Sequence, residues 1–393
     1  MSIFNSLGTN YTGKMVWRSL LPAKKTATQD LAQKLTTHYG AQATLLTFKC
    51  REALAFILRE LNLPTGSKVA INGFTCYVVY EAVEAAGLVP HFLDISPGEL
   101  NFSAETVEQA LKADSSIKVV MIQNSLGIPS DAAAIKKVCD KAGIHLVEDL
   151  AHSAGLKYTD GQEAGTVGVA AALSFGQNKI IDAAAGGAAV FHKDITPPDA
   201  LPSVSLWLKL TTYWYPLNTW FIRKTHRFII GKVLLKVYKS LKIIPEPADG
   251  YAGDVRVLPT HEAGLALAYF NDLDTVIAHR QKIAEIYRSA LPASVQLKHF
   301  DEAIYIRFPL IVKDRMALTR YLQQFQVLLG TPWYDVVVAP RRFMSKVAYE
   351  PGSCPEGEKV AEQIINLPTH ININEATAHF IADKVNAWLQ LQN

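Results

Sequence analysis

The chain lacks the marks of a secreted or metal-bound protein. Its 393 residues include four cysteines, Cys50, Cys76, Cys139 and Cys354, far apart and without a Cys-x-x-Cys pair. That spacing argues against a zinc site or a disulfide frame, so no metal is expected and a reducing cytoplasm is. Met1 to Lys14 shows no charged start followed by an apolar run, so no signal peptide is expected. No apolar run is both long enough and free enough of charge to span a bilayer. Charge of neither sign dominates: 39 Lys and Arg stand against 36 Asp and Glu, which leaves no electrostatic case for nucleic-acid binding. One absence is local. From Leu201 to Pro245 there is no Asp or Glu at all.

What is present reads as a globular chain long enough for a large domain and a smaller one. Periodicity predicts helices over Thr28 to Tyr39, Lys49 to Leu61, Phe74 to Ala86, Thr106 to Leu111 and Asp131 to Ala142. Between them Lys68 to Asn72, Leu88 to Asp94, Lys118 to Gln123 and Ile144 to Val147 read as strands. Such alternation predicts an α/β fold with a parallel sheet covered on both faces. Further on, one long helix is expected around His261 to Leu291, a strand over Ile304 to Val312 and a helix over Arg315 to Leu328.

The chemistry sits between Val147 and Val190. An apolar strand ends on Glu148 and Asp149, followed by Leu150-Ala151-His152-Ser153-Ala154-Gly155. Carboxylates at the end of such a strand lie at the rim where α/β sheets bind ligands. Asp149 would otherwise be a helix N-cap, and His152 a core histidine. Then comes Ser174-Phe175-Gly176-Gln177-Asn178-Lys179, with the lysine 30 residues after Asp149 and the pair Gly186-Gly187 beyond it. Lys179 lies among small and apolar residues, where desolvation favours the neutral amine that condenses with a carbonyl. An acid that keeps a pyridine nitrogen protonated, together with such an amine, is what pyridoxal 5'-phosphate needs from a protein.

These two clusters resemble the DegT–StrS-type sugar aminotransferases, a fold-type-I pyridoxal-phosphate family, in its E-D-x-A-[QH]-x-x-G and S-F-x-x-x-K segments and its paired glycine. Phe92 to Ile95, Gly127 to Asp131, Ala278-His279-Arg280, Ala284 to Tyr287 and Ile365 to His370 are similar to family text as well. The resemblance implies a mostly parallel sheet wrapped by helices plus a smaller α+β C-terminal domain. Residues 1–258 would form the large cofactor domain, and 259–393 a linking helix and the small domain. It implies Lys179 as the cofactor's attachment point, Asp149 on its pyridine nitrogen, His152 beside its ring and Ser174 on its phosphate. Where the family cradles phosphate with S-G-T-x-A-L, this chain has Cys50-Arg51, so Arg51 either contacts the phosphate or caps a helix turn. Tyr77 is expected as the aromatic that stacks on the pyridine, with Cys76 aligning as well and a plain core role for Tyr77 as the alternative. The family's N-x-R, whose Asn crosses the dimer to the partner's phosphate, reads Asp254-Val255-Arg256 here, and an aspartate repels phosphate. A homodimer, an amino-acid donor and a keto-sugar acceptor, nucleotide- or lipid-linked, are implied too. The retained lysine favours amino transfer over the dehydratase chemistry of relatives that lose it.

The acid-free stretch is this chain's own. It carries Lys209, Arg223, Lys224, Arg227, Lys232, Lys236, Lys239 and Lys242, interleaved with eight Trp, Tyr and Phe residues. The last four lysines, at steps of four, three and three, predict one helical stripe. A basic amphipathic helix after tryptophans and tyrosines predicts a segment lying in an anionic membrane surface, peripheral at its inner face. The alternatives are a dimer element and a basic lip for an anionic substrate. Two functions therefore stand after the sequence: an aminotransferase, and a non-catalytic protein of that fold that senses or scaffolds at a membrane.

Overall fold

The computed structural model describes residues 2–392 apart from 197, 199 and 331–333. A short strand β1 (Ile3–Phe4) and helices α1 (Gly13–Ser19) and α2 (Ala27–His38) open the chain. Strand and helix then alternate through β2 (Ala43–Thr47), α3 (Cys50–Glu60), β3 (Lys68–Asn72), β4 (Thr75–Cys76), α4 (Tyr77–Ala85) and β5 (Val89–Leu93). They continue through α5 (Ala104–Ala113), β6 (Ile117–Ile122), α6 (Ala132–Ala142), β7 (His145–Asp149), β8 (Ala170–Ser174) and β9 (Gly187–Phe191). Local signals set the helix ends. The Ser103 hydroxyl accepts the Thr106 N–H at the start of α5, Asp131 caps α6, and Gly143, at φ 67°, ends it.

Seven strands form one sheet in the order β2-β9-β8-β7-β6-β3-β5. Its ladders are parallel except at β9, which runs antiparallel to both β8 and β2. The strands are apolar on both faces because both faces are covered. Val69, Val119 and Val147 bury into one hydrophobic cluster, while Ala70, Val120 and Leu146, one residue on or back, bury into the other.

Helices α7 (Leu206–Thr225) and α8 (Ile229–Ser240) follow the sheet, then α9 (Thr260–Asn271) and α10 (Leu273–Ala290). The C-terminal part holds β10 (Arg307–Ile311), α11 (Arg315–Gln324), β11 (Val327–Leu328), β12 (Val338–Ala339), α12 (Pro355–Gln363), β13 (Ile364–Pro368) and α13 (Glu375–Gln390). Here β10 pairs antiparallel with β13, while β11 pairs parallel with the N-terminal β1 and β12 parallel with β4. The first residues thus belong with the last: Asn5 Nδ2 donates to the Asn366 carbonyl at 2.7 Å.

Several elements differ from expectation. The single helix over 261–291 is two, broken at Asp272 (φ −99°, ψ 10°), a residue type whose short polar side chain competes with the helix ladder. Leu273 and Ile277 then pack on Gly155, where a Cβ would stand 2.6 Å from Ile277 Cδ1. The helix from Arg315 stops at Gln324 because Gln326 turns left-handed (φ 63°) and frees Val327–Leu328 to pair with β1. Thr75–Cys76 is strand, held by β12, so α4 starts only at Tyr77. Helix α8 ends at Ser240, and Lys242 (φ 54°) lies beyond it, which shortens the lysine stripe to three.

Candidate active site

The C-terminal ends of β7 and β8, the loop from Phe175 to Gly186 and the first turn of α3 meet at one edge of the sheet, where parallel α/β sheets place their ligands. The two adjacent acids of β7 part company because successive side chains of a strand point to opposite faces. Glu148 is consumed by structure: it accepts the N–H groups of Gly165, Val167 and Gly168 at 2.8 to 2.9 Å and the Tyr158 hydroxyl at 3.1 Å. Asp149 faces the site. Its Oδ1 accepts the Ala151 N–H at 2.9 Å, and its Oδ2 the Gln123 side-chain amide at 3.3 Å. Burial raises its pKa, opposed by the Ala151 bond and by the nearby Lys179 charge.

Lys179 is half-buried between Gly176 and Gly186. Burial lowers its pKa, while Cys76, Asp149 and Cys50 beside it pull the other way, so the neutral amine forms at lower pH than in water. His152 accepts the Leu126 N–H on Nδ1 at 3.2 Å, and burial holds its pKa well below 6.5. It is a neutral imidazole with its proton on Nε2. The Leu126 N–H is aimed by a tight turn in which Asn124 and Leu126 both take positive φ (47° and 56°).

The loop's shape comes from a residue that sequence patterns did not single out. Asp182 collects the Asn178 N–H at 2.8 Å, the Ala184 N–H at 3.2 Å, the Asn10 amide at 3.1 Å and the Tyr11 hydroxyl at 3.0 Å. Those bonds hold Asn178 and Ala184 at positive φ on either side of it. Asn10 also donates to the Lys179 carbonyl at 2.7 Å and accepts from buried Arg280 at 2.7 Å. Tyr11→Phe is therefore expected to lower stability by about 1.5–3 kcal/mol, the range for a hydrogen bond to a charged group. Denaturant unfolding of the variant checks this, and a loss under 0.5 kcal/mol, roughly the floor for any hydrogen bond, would remove Tyr11 from the clamp.

A corner for an anion lies opposite. Ser174 pairs with Gly187 across β8 and β9, and a Cβ on Gly187 would stand 2.6 Å from Cys50 N and Cα. The second glycine thus lets the sheet reach the first turn of α3, whose leading N–H groups lie outside the helix ladder and whose dipole favours negative charge. The Ser174 hydroxyl accepts the Gly176 N–H at 3.4 Å and keeps its own proton to donate. This close approach, with the Asp149 and Lys179 pair beside it, fits a group carrying both a phosphate and a basic ring.

Other expected residues lie elsewhere. The Arg51 guanidinium is buried on Glu81 (2.9 Å) and the carbonyls of Pro247 (2.7 Å), Ala248 (3.1 Å) and Gly250 (3.3 Å). Its hydrogen-bonding is spent on structure, so at Cys50-Arg51 the backbone rather than the guanidinium meets the anion corner. Arg51→Ala should cost about 3–5 kcal/mol because it strands a buried Glu81. Adding Glu81→Ala should return much of that, a cycle read by denaturant unfolding. The Tyr77 ring stacks on Phe343, centroids 4.3 Å apart, and it is Cys76 that lies near Lys179 and Asp149. Of the two candidates Cys76, the last residue of β4, is thus the one toward the site, and Tyr77, the first of α4, takes the core role. Arg256 is held by Glu52 (3.1 and 2.5 Å) within the same chain, and Asp254 is exposed. Tyr334 and Arg307, which no local motif marks, border the site from the C-terminal part, near Cys76, Asp149 and His152. Among the described residues no group of three His, Cys, Asp or Glu is placed to hold a metal ion.

Comparison with known proteins matches the family model "DegT/DnrJ/EryC1/StrS aminotransferase family" over residues 20–199 and 251–386. The unmatched gap, 200–250, contains α7 and α8. The chain is 24% identical over 356 residues to a UDP-2-acetamido-2-deoxy-3-oxo-D-glucuronate aminotransferase of Pseudomonas aeruginosa, covering 90% of this chain and 88% of that one. It is also 22% identical over 341 residues to a pleiotropic regulatory protein of Geobacillus stearothermophilus, covering 85% and 82%. Among solved structures, Spr1654 of Streptococcus pneumoniae in its PLP form superposes with a TM-score of 0.71 at 18% identity, over 95% of this chain and 94% of that one. Sheet order, the Asp149 and Lys179 pairing and the family match agree: the chain belongs to the DegT/DnrJ/EryC1/StrS aminotransferase family and has the fold-type-I architecture.

Proposed function

We propose that this aminotransferase uses pyridoxal 5'-phosphate to move an amino group from an amino-acid donor to a keto-sugar carried on a nucleotide or a lipid. The observation behind it is the joint placement of Asp149 and Lys179 at one sheet edge beside the N-terminus of α3. Lys179 is the attachment point, the Asp149 carboxylate would hold the proton on the ring nitrogen, His152 would flank the ring, and Ser174 with the α3 backbone would take the phosphate. When bound, the cofactor supplies an electron sink. The Lys179 amine, neutral at lower pH than in water, then accepts and returns the proton at the substrate carbon. Keto-sugar as acceptor follows the P. aeruginosa relative's name.

The reading extends to assembly and place. A homodimer is the family's habit, and the basic, aromatic residues 201–245 support action at the inner face of an anionic membrane. Among the described residues no helix is long and apolar enough to cross one. The regulatory relative favours a second reading, a cofactor-bound protein without turnover. Incubation with pyridoxal phosphate, glutamate or glutamine, and a UDP-linked keto-sugar separates them by mass spectrometry of the sugar. Amination is the expected result. A protein that binds the cofactor yet transfers nitrogen from no amino acid belongs to the second reading.

A further inference from the structure

Both helices in the stretch that the family model leaves unmatched turn one face to the protein and leave an apolar stripe outside. In α8, Gly231, Leu234, Leu235 and Tyr238 turn inward, the side chains packing on the core. Ile229, Ile230, Val233 and Val237 form another stripe, 41% to 81% exposed. At 3.6 residues per turn, Lys232, Lys236 and Lys239 make the row alongside that exposed stripe. In α7 the inner face buries Thr211, Tyr215, Thr219, Ile222 and Arg223, and Arg223 donates to the Tyr11 carbonyl at 2.6 Å. Leu206, Trp207, Leu210, Trp214 and Phe221 stand together on the outer face, each more than two-fifths exposed. Apolar exposure on this scale marks a surface that meets something.

We infer that the α7–α8 hairpin docks on an anionic lipid bilayer, with its outer apolar stripes in the interface and its lysines on the headgroups; this deepens the reading of place given above. Charge selects this occupant. Lys209, Lys224, Arg227, Lys232, Lys236 and Lys239 are exposed, and the segment itself has no acid to answer them; Lys239 reaches Glu246, just beyond it, at 3.5 Å. A second copy meeting this face about a two-fold axis would set like charge against like. Headgroup phosphates supply the opposite sign, and tryptophans beside an apolar stripe suit the boundary between headgroup and chain.

The hairpin is rooted at the site it would carry to the bilayer. Val204 and Leu208 pack on Phe48 and on Ala185 of the lysine loop. Beyond α8, the carbonyls of Pro247, Ala248 and Gly250 hold the Arg51 guanidinium in the first turn of α3. Docking therefore sets Lys179 near the lipid surface, within reach of an acceptor sugar borne on lipid phosphate.

The test is flotation of the cofactor-loaded protein with vesicles of phosphatidylcholine alone or doped with phosphatidylglycerol, at low and high salt. The expected result is binding to the anionic vesicles only, weakened but not abolished by salt. Reversing Lys232, Lys236 and Lys239 to Glu should lower binding on the order of a hundredfold, and Trp207→Ser with Trp214→Ser should remove the salt-resistant part. No binding to anionic vesicles at low salt overturns the proposal. So does an Ile230→Glu, Val233→Glu variant whose oligomer falls apart in light scattering, because a second copy would then cover the stripes. Loss of docking with the cofactor's absorbance kept leaves the aminotransferase reading standing. Docking by a protein that never takes up the cofactor does the reverse.

Discussion

Replacing Lys179 by alanine should abolish amino transfer, a drop on the order of 10⁴-fold or more if the lysine also serves as the acid–base group. The wild-type protein should be yellow with bound pyridoxal phosphate, and borohydride should fix a pyridoxyl group on Lys179, found by peptide mass mapping. The variant should lose that covalent adduct while still retaining cofactor non-covalently, because Ser174, Asp149 and the α3 backbone remain. Lys179→Arg should not rescue it, since a guanidinium keeps its proton at any pH in reach. A pyridoxyl adduct on another lysine, or turnover within tenfold of wild type in the alanine variant, would sink the assignment. Stability should change little, because the side chain is only half-buried and its positive charge is disfavoured by desolvation.

The second large effect belongs to Asp149. Asp149→Ala or Asp149→Asn should leave the adduct with Lys179 in place and still collapse turnover, because an unprotonated ring is a poor electron sink. Near-normal rates would refute the role. Stability provides a readout that activity does not. Burial raises the Asp149 pKa above 3.8, so the folded state binds this proton more tightly than the unfolded one. Its ionised form therefore lowers stability at neutral pH, and that penalty fades as pH falls through the raised value toward 3.8. The Asn variant, free of the buried charge, should melt higher than wild type at pH 7 without cofactor, and the gain should vanish in acid. A variant less stable than wild type at pH 7 would mean that the Ala151 and Gln123 hydrogen bonds outweigh the burial of the charge. Loss of function with a gain in stability is what a residue kept for chemistry shows.

Much of this was legible in the chain because it is local. Alternating strands and helices gave the parallel sheet. The acid pair at the end of β7, the lysine after Ser174 and the two glycines at the start of β9 are fixed by positions a few residues apart. Strand geometry alone says that Glu148 and Asp149 point opposite ways, though not which of them faces the site. The one-residue difference between Tyr77 and Cys76 was not legible, because it depends on β12, more than 260 residues downstream, pairing with β4 and delaying the helix. Likewise, the break at Asp272 needs Gly155 to receive Leu273 and Ile277.

By itself the sequence determined the fold class and the family, singled out the lysine and the acid proposed to serve the cofactor, and showed an acid-free stretch of cations and aromatics. Each of these is written in residue type and short spacing. Tertiary structure decided how long-range partners use the polar groups. Arg51 could have served a phosphate, but Glu81 and three carbonyls from 247–250 satisfy its guanidinium first. Asp182 carries no motif, yet Tyr11 and Asn10, some 170 residues away, make it the clamp of the lysine loop. In α7 and α8 composition announced an amphipathic segment, but only packing showed that each helix spends one face on the core and leaves an apolar stripe outside. The physical reason is the same in each case: a side chain's donors and its apolar area can be used once, and which neighbour takes them is set by the folded chain rather than by the residues beside it.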